Sequence, residues 1–375
     1  MKYISDVPAS ELKGKRVLVR AGLDVPLDKN GDVADVFRIK QAVKTLRFLQ
    51  EAGARTIVLS HIGRKPEETN EPVARALKAE IEIVYVPDLL GGPARQAVAA
   101  IAEGEVLLLE NLRRDEREAA NDDGFARELA ALGDIYVDDA FSVAHRPHAS
   151  IVGIPKYLPS FAGILMHDEI EILTKARNPE HPSFAILGGA KFETKSPLIK
   201  MLLETYDHLF VTGALANDVF KAKGLPVGIS LISKELPDES VLSNPHFVAP
   251  IDVTVERSDK QASVKRPEDV AADDKIVDIG PDSVAAIAPY IAAAKFILWN
   301  GPTGLYEDGF VSYTHAIADL ISKSGARTAI GGGDTIAVIE ESGATFGPHI
   351  FLSTGGGAML EFLLNGTLPG IDALG

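Results

Sequence analysis

The sequence predicts an α/β protein of two domains, each a parallel sheet covered by helices, and three observations lead there. Short apolar, often β-branched runs alternate with longer segments of helical period, the pattern of parallel strands joined by crossover helices. That rhythm breaks after residue 150, where the proline-punctuated strings IPKYLPS and NPEHPS bracket a helix-like stretch at 163–177. The chain has 375 residues, and roughly 100 to 200 per domain leaves room for two. The expected partition is 1–160, a connecting helix and hinge at 161–180, a second domain at 181–355, and a last segment at 356–375.

In the first half, strands are expected at 16–20, 55–60, 81–86, 105–110 and 134–138, with helices at 38–52, 71–79, 93–103 and 121–132. Helix 38–52 places Ile39, Val43, Leu46 and Leu49 on one stripe for core packing, and Gly53 follows it as a stop. From Phe184 the alternation resumes, with strands at 184–187, 208–211, 295–298, 327–330 and 349–352. Helices are expected at 194–204, 215–223, 282–293, 312–322, 334–341 and 357–364. The charged region 233–280 reads as hairpin-like, with strands near 247–255 and 262–265.

A hydrophobic fraction of 46% supplies two cores, and a net charge of −15 argues against a general nucleic-acid binder. Cysteine is absent, which excludes disulfides and thiolate chemistry. The opening string MKYISDVPASELKGKR lacks the apolar core of a signal peptide, and no run approaches the roughly 20 apolar residues of a membrane span. The expectation is a cytoplasmic monomer with small-molecule partners, and no nucleic acid or membrane among them.

In open parallel sheets, ligands gather beyond the carboxyl ends of the strands. In the first half those places hold cations: Arg20, His61 and Arg64, Arg113, and Arg146, with Arg38 opening a helix. A guanidinium forms paired bonds to a carboxylate or phosphate, and crowding five of them is costly without an anion between. In the second half the same places hold glycine turns: LGGAK (187–191), TGALAN (212–217), NGPTG (300–304), GGGDT (331–335) and TGGGA (354–358). Backbone amides at such turns suit a polyphosphate. The asymmetry predicts two anion sites facing each other, with a phosphoryl group passing between them.

Within LGGAKFETK, Gly188 and Gly189 form either a tight turn or an anion cradle, with Lys191 and Lys195 four apart on one helical face. The spacing GxxxxGK[ST] is absent. Asp334 either caps a helix or holds, directly or through water, the magnesium that travels with a nucleotide. Trp299 reads as packing, and Glu307 as a loop glutamate or a ribose acceptor. His61 can donate to a phosphate or carboxylate, whereas His145 and His148 read as structural.

The strings SHIGR, LLLENLRR, DDAFSVAHRPHASIVG, LGGAKFETK, WNGPTGLYE, IGGGDT and STGGGA, in this order, resemble the signatures of the phosphoglycerate kinase family essentially end to end. The resemblance implies two Rossmann-like domains joined by a helix and hinge, with the last segment returning to the first domain. It implies reversible phosphoryl transfer between 1,3-bisphosphoglycerate and ADP, giving 3-phosphoglycerate and ATP, with Mg2+. It assigns Gly22, Leu23, Asp24, Arg38, His61, Ile62, Gly63, Arg64, Arg113 and Arg146 to the phosphoglycerate. It assigns Gly189, Lys191, Lys195, Gly213, Asn300, Glu307, Gly332, Gly333, Asp334 and Thr335 to the nucleotide. Arg38, Lys191 and Gly333 become the catalytic groups at the migrating phosphoryl, and Asp334 the metal residue.

The family's first motif reads R-x-D-x-N-x-P, whereas Arg20 to Pro26 reads RAGLDVP, so Gly22 and Asp24 depart from it. A carboxylate at 24 should repel an acidic ligand unless a cation such as Arg38 lies between. TGALAN departs from a frequent triple glycine, which loosens any expectation of base preference. Two rivals follow: a relative that binds a nucleotide but has lost its small acid, and a dinucleotide-dependent dehydrogenase, disfavoured because no GxGxxG opens an early βαβ unit.

Overall fold

Helical crossovers force consecutive strands to run parallel, and the structure, a computed structural model describing residues 1–375, contains two sheets built this way. The chain divides into two units: Met1–Glu171 with Thr367–Gly375, and Ile172–Gly366. The first holds β1 (Arg16–Ala21), β2 (Arg55–Leu59), β3 (Val84–Tyr85), β4 (Val106–Leu108), β5 (Ile135–Asp139) and β6 (Ser160–Ala162) in the order β3-β4-β2-β1-β5-β6. Register sets Arg20 of β1 between Leu59 of β2 and Asp138 of β5. Val17, Val19, Val58 and Val137 share one core with Ile39, Val43, Leu46 and Leu49 of the helix Phe37–Glu51. Each buried Leu or Ile there contributes roughly 1.5 to 3 kcal/mol relative to exposure. Strand β3 is shorter than its apolar run because it forms the sheet edge, where Val84 is half exposed.

The second unit holds β7 (Ser183–Leu187), β8 (His208–Val211), β9 (Phe247–Val248), β10 (Val253–Glu256), β11 (Ala262–Lys265), β12 (Lys275–Ile279), β13 (Phe296–Asn300), β14 (Arg327–Gly331) and β15 (Ile350–Leu352). Its parallel sheet runs β15-β14-β13-β7-β8-β9. Around it Phe184, Ile186, Ile297, Trp299, Ile317, Ile330 and Ile339 form the core, so Trp299 is a packing residue. The hairpin expected within 233–280 is present as β10 and β11, and β12 joins it to make a separate antiparallel sheet, β11-β10-β12. The expected strand near 247–255 is divided at Pro250, which cannot donate to a ladder, and β12 was not expected at all.

The division between the units falls inside the helix Ile164–Arg177. The helix Gly356–Asn365 groups with the second unit, burying Met359, Phe362 and Leu363, and the Leu363 carbonyl accepts from Arg177 Nε at 2.9 Å. Only Thr367–Gly375 joins the first unit, where the Gly370 amide donates to the Ala144 carbonyl at 2.8 Å. A Cβ on Gly370 would lie 2.9 Å from Ile151 and 3.1 Å from Asp138 Oδ2, so the contact requires glycine. No helix is long and apolar enough to cross a membrane.

Candidate functional site

Beyond β1 the chain crosses the carboxyl ends of its neighbours: the Leu23 amide donates to Ser60 Oγ, just after β2, at 3.2 Å. Asp24 then becomes a junction. Its Oδ1 accepts the Gly63 amide at 2.9 Å, its carbonyl accepts Arg38 Nη1, and its Oδ2 lies 3.4 Å from His61 Nε2. That last pair attracts without the alignment of a hydrogen bond, and His61 Nε2 is buried without a partner. The Gly63 carbonyl accepts Arg113 Nη1. Asn111 ties the two loops, its Nδ2 donating to Ile62 O at 2.9 Å and its Oδ1 accepting the Arg113 amide at 3.0 Å. Arg64, Arg113, Arg146 and His148 line an adjoining cleft of about 780 Å³.

Burial raises the Asp24 pKa, but His61, the Gly63 amide and Arg38 outweigh it and bring it down to about 2. Burial, then Arg20 and Arg113, push His61 down to about 4 against the opposing pull of Asp24. Burial and the same arginines, with Arg146, lower His148 to about 4. Both imidazoles are therefore neutral near pH 7, and the positive charge of the cleft belongs to arginines. Burial lowers the Arg113 pKa, and Arg146 and Arg20 add to that against the opposing pull of the Asp24 and Glu118 carboxyl groups.

In the second unit the five glycine turns touch one another by backbone. A Cβ on Gly188 would stand 2.5 Å from the Pro302 carbonyl oxygen, one on Gly213 2.9 Å from the Gly189 nitrogen, and one on Gly356 2.9 Å from Gly332 Cα. The Gly301 amide donates to Thr335 Oγ1 at 2.9 Å. Gly189, Gly213, Leu231, Val277, Glu307 and Asp334 are among the residues lining a cavity of about 320 Å³. Asn300 Nδ2 is a buried donor without a partner. Burial lowers the Lys195 pKa.

Two local expectations are corrected. Lys191 is not on the helix face with Lys195: it precedes the helix Phe192–Thr205 in a left-handed conformation, φ +65°. Asp334 is not the cap: Gly332 holds that position, and Asp334 is exposed in the first turn of the helix Gly333–Glu341. Tyr306 sits beside it, its pKa raised by burial and by the Asp334 and Glu307 carboxylates. No group of three or more His, Asp or Glu side chains could hold a metal alone. One exposed carboxylate fits magnesium that brings most of its oxygen ligands as phosphate and water. His148, read from the sequence as structural, lines the arginine cleft, and the link made by Asn111 had no sequence signal beyond its place in LLLENLRR.

The chain matches the protein-family model described as Phosphoglycerate kinase over residues 4–366. It is 41% identical over 386 residues to the phosphoglycerate kinase of Moorella thermoacetica, with 97% of each chain covered. With that of Synechococcus elongatus it shares 42% identity over 399 residues, covering 100% of this chain and 98% of the relative. Among solved structures it resembles phosphoglycerate kinase from Coxiella burnetii, at a TM-score of 0.82 and 35% identity over 99% of this chain and 98% of that one. It also resembles the enzyme from Pyrococcus horikoshii, at a TM-score of 0.88 and 29% identity over 100% and 98% of the two chains.

Proposed function

The chain belongs to the phosphoglycerate kinase family, which moves a phosphoryl group between 1,3-bisphosphoglycerate and ADP, and from that premise we propose how its residues divide the work. The first unit holds the phosphoglycerate. Arg38, His61, Arg64, Arg113 and Arg146 supply the donors, and Gly22 to Asp24 with Ile62 and Gly63 shape the floor. The second unit holds ADP or ATP. Gly189, Lys191, Lys195, Gly213, Asn300, Gly332, Gly333 and Thr335 serve its phosphates, and Glu307 its ribose. The observation that carries this division is the chemistry of the two places: side-chain cations around a junction at Asp24, and backbone turns pressed together around Gly188 and Gly301.

Hinge closure brings the two ligands together for direct in-line transfer. The bond between the acyl oxygen and phosphorus breaks while a terminal oxygen of ADP bonds to that phosphorus, leaving a carboxylate and ATP, with no covalent enzyme intermediate. Arg38, Lys191 and the Gly333 amide neutralise charge on the migrating group. Magnesium would neutralise phosphate charge, and Asp334 is the residue that would hold it. The same reading makes the protein a cytoplasmic monomer acting on small molecules, without nucleic-acid or membrane partners.

A coupled assay of ATP-dependent consumption of 3-phosphoglycerate tests the proposal. Turnover that requires both substrates and magnesium supports it. Nucleotide binding without turnover would instead favour a relative whose small-acid site has changed at Gly22 and Asp24.

A further inference from the structure

Arg20, one of the cations at the strand ends, is given no contact with either ligand in the proposed division of work, yet it is completely buried at the end of β1 and contacts His61, which that division places on the substrate. Three acceptors pin it. Nε donates to Ser150 Oγ at 3.0 Å, Nη1 to the Ala21 carbonyl, and Nη2 lies 2.7 Å from Nδ1 of His61. Ser150 is fixed in turn, its hydroxyl donating to Glu118 Oε1 at 2.5 Å and its amide to Glu118 Oε2 at 2.9 Å. The guanidinium therefore cannot swing away without abandoning a buried chain that ends on a buried carboxyl group.

A guanidinium has donors and no acceptor, so the atom facing Nη2 must offer a lone pair. Nδ1 of His61 then carries no hydrogen. An imidazolium would turn an N–H against an N–H, and a flipped ring would put carbon in that place. The ring's one proton is left on Nε2, which is buried, has no hydrogen-bond partner, and lies 3.4 Å from Asp24 Oδ2 without alignment. An unsatisfied buried donor is poised for an incoming acceptor.

We propose that Arg20 is a positioning residue: by donating to Nδ1 it locks His61 in the Nε2–H tautomer, so that the ring presents one neutral hydrogen-bond donor to the carboxylate or phosphate oxygen of the small acid. The claim about the ring stands on geometry within the first unit. The claim about the acid rests on the proposed function.

Two measurements test these parts separately. Long-range proton–nitrogen NMR on the nitrogen-labelled full chain at pH 7 reads the tautomer, with His61→Gln identifying the signal. A bare Nδ1 and a protonated Nε2, with and without 3-phosphoglycerate, is the expected result. A proton on Nδ1, or on both nitrogens, overturns the proposal even if no variant folds.

Steady-state kinetics supply the second test. Arg20→Met should raise the KM for 3-phosphoglycerate about tenfold with little change in the KM for ATP, and Arg20→Lys, which keeps a donor, should recover part of the loss. In a His61→Gln background the Arg20→Met change should add almost nothing, and independent, additive losses would overturn the assignment. If the parent protein shows no turnover while the NMR result holds, the proposed function fails and the tautomer lock survives.

Discussion

Asp138 is the place where a single proton should control the stability of the first unit. It lies fully buried on β5, opposite Arg20 on β1; Oδ1 accepts the Ala140 amide at 3.0 Å and Oδ2 has no partner. Burial and the neighbouring Asp139 push its pKa up to about 7 from 3.8, against the pull of the Ala140 amide and Arg20. Between those two values the folded protein keeps a proton that the unfolded chain has released. Stability must therefore fall as pH rises through that window, by about 1.4 kcal/mol per pH unit and about 4 kcal/mol in all, and then level off above the folded value. Asp138→Asn keeps the acceptor for Ala140 and removes the titration, while its Nδ2 brings an unmet donor costing about 1 kcal/mol at every pH. The variant should be slightly less stable than the parent near pH 4 and about 3 kcal/mol more stable at pH 8. Asp139, lifted to about 6 by burial, adds its own decline to both proteins, a smaller one in the variant because the Asp138 charge no longer opposes its ionisation. Hydrogen exchange of the β1 and β5 amides, corrected for intrinsic rates, reads the difference. Equal slopes in parent and variant between pH 5 and 7 would refute the reasoning.

The departure at RAGLDVP gives a second prediction. Asp24→Asn keeps an oxygen for the Gly63 amide but removes a carboxylate from the arginine network, so the KM for 3-phosphoglycerate should fall about threefold to tenfold. Adding Gly22→Asp should preserve that gain only if Ser142 yields, because the new Cβ would stand 3.0 Å from its Oγ; an unchanged or higher KM in both variants rejects the idea that this motif limits affinity. Third, Lys191→Ala should cut kcat about a hundredfold while leaving the KM for ATP nearly unchanged, since a cation matched to a moving group acts in the transition state. Comparable losses in turnover and affinity would mark it as a ground-state contact.

Much of this was legible along the chain because hydrophobic period reports strands and helices directly. Helix Phe37–Glu51 and strands β1, β2, β7 and β13 fall close to their expected places. Strand β12 escaped notice because KIVDI mixes charge with apolar residues inside a charged region, and its partner is the strand Val253–Glu256 rather than a sequence neighbour. Candidate residues could be named wherever an unusual side chain follows an apolar run. Their connections could not: Arg20 finds His61 across 41 residues and Ser150 across 130, and no local pattern encodes those distances. The glycine turns were visible singly, but their mutual approach depends on backbone atoms, which leave no separate trace in side-chain pattern.

The return of residues 367–375 to the first unit has a consequence for biosynthesis. Because 172–366 form a unit of their own, the ribosome must make all of it before it makes Gly370, whose amide closes on Ala144 and whose lack of a side chain leaves room for Ile151 and Asp138. The half that emerges first is therefore finished last. During elongation the second unit can mature while its predecessor waits, still lacking the strap that completes it.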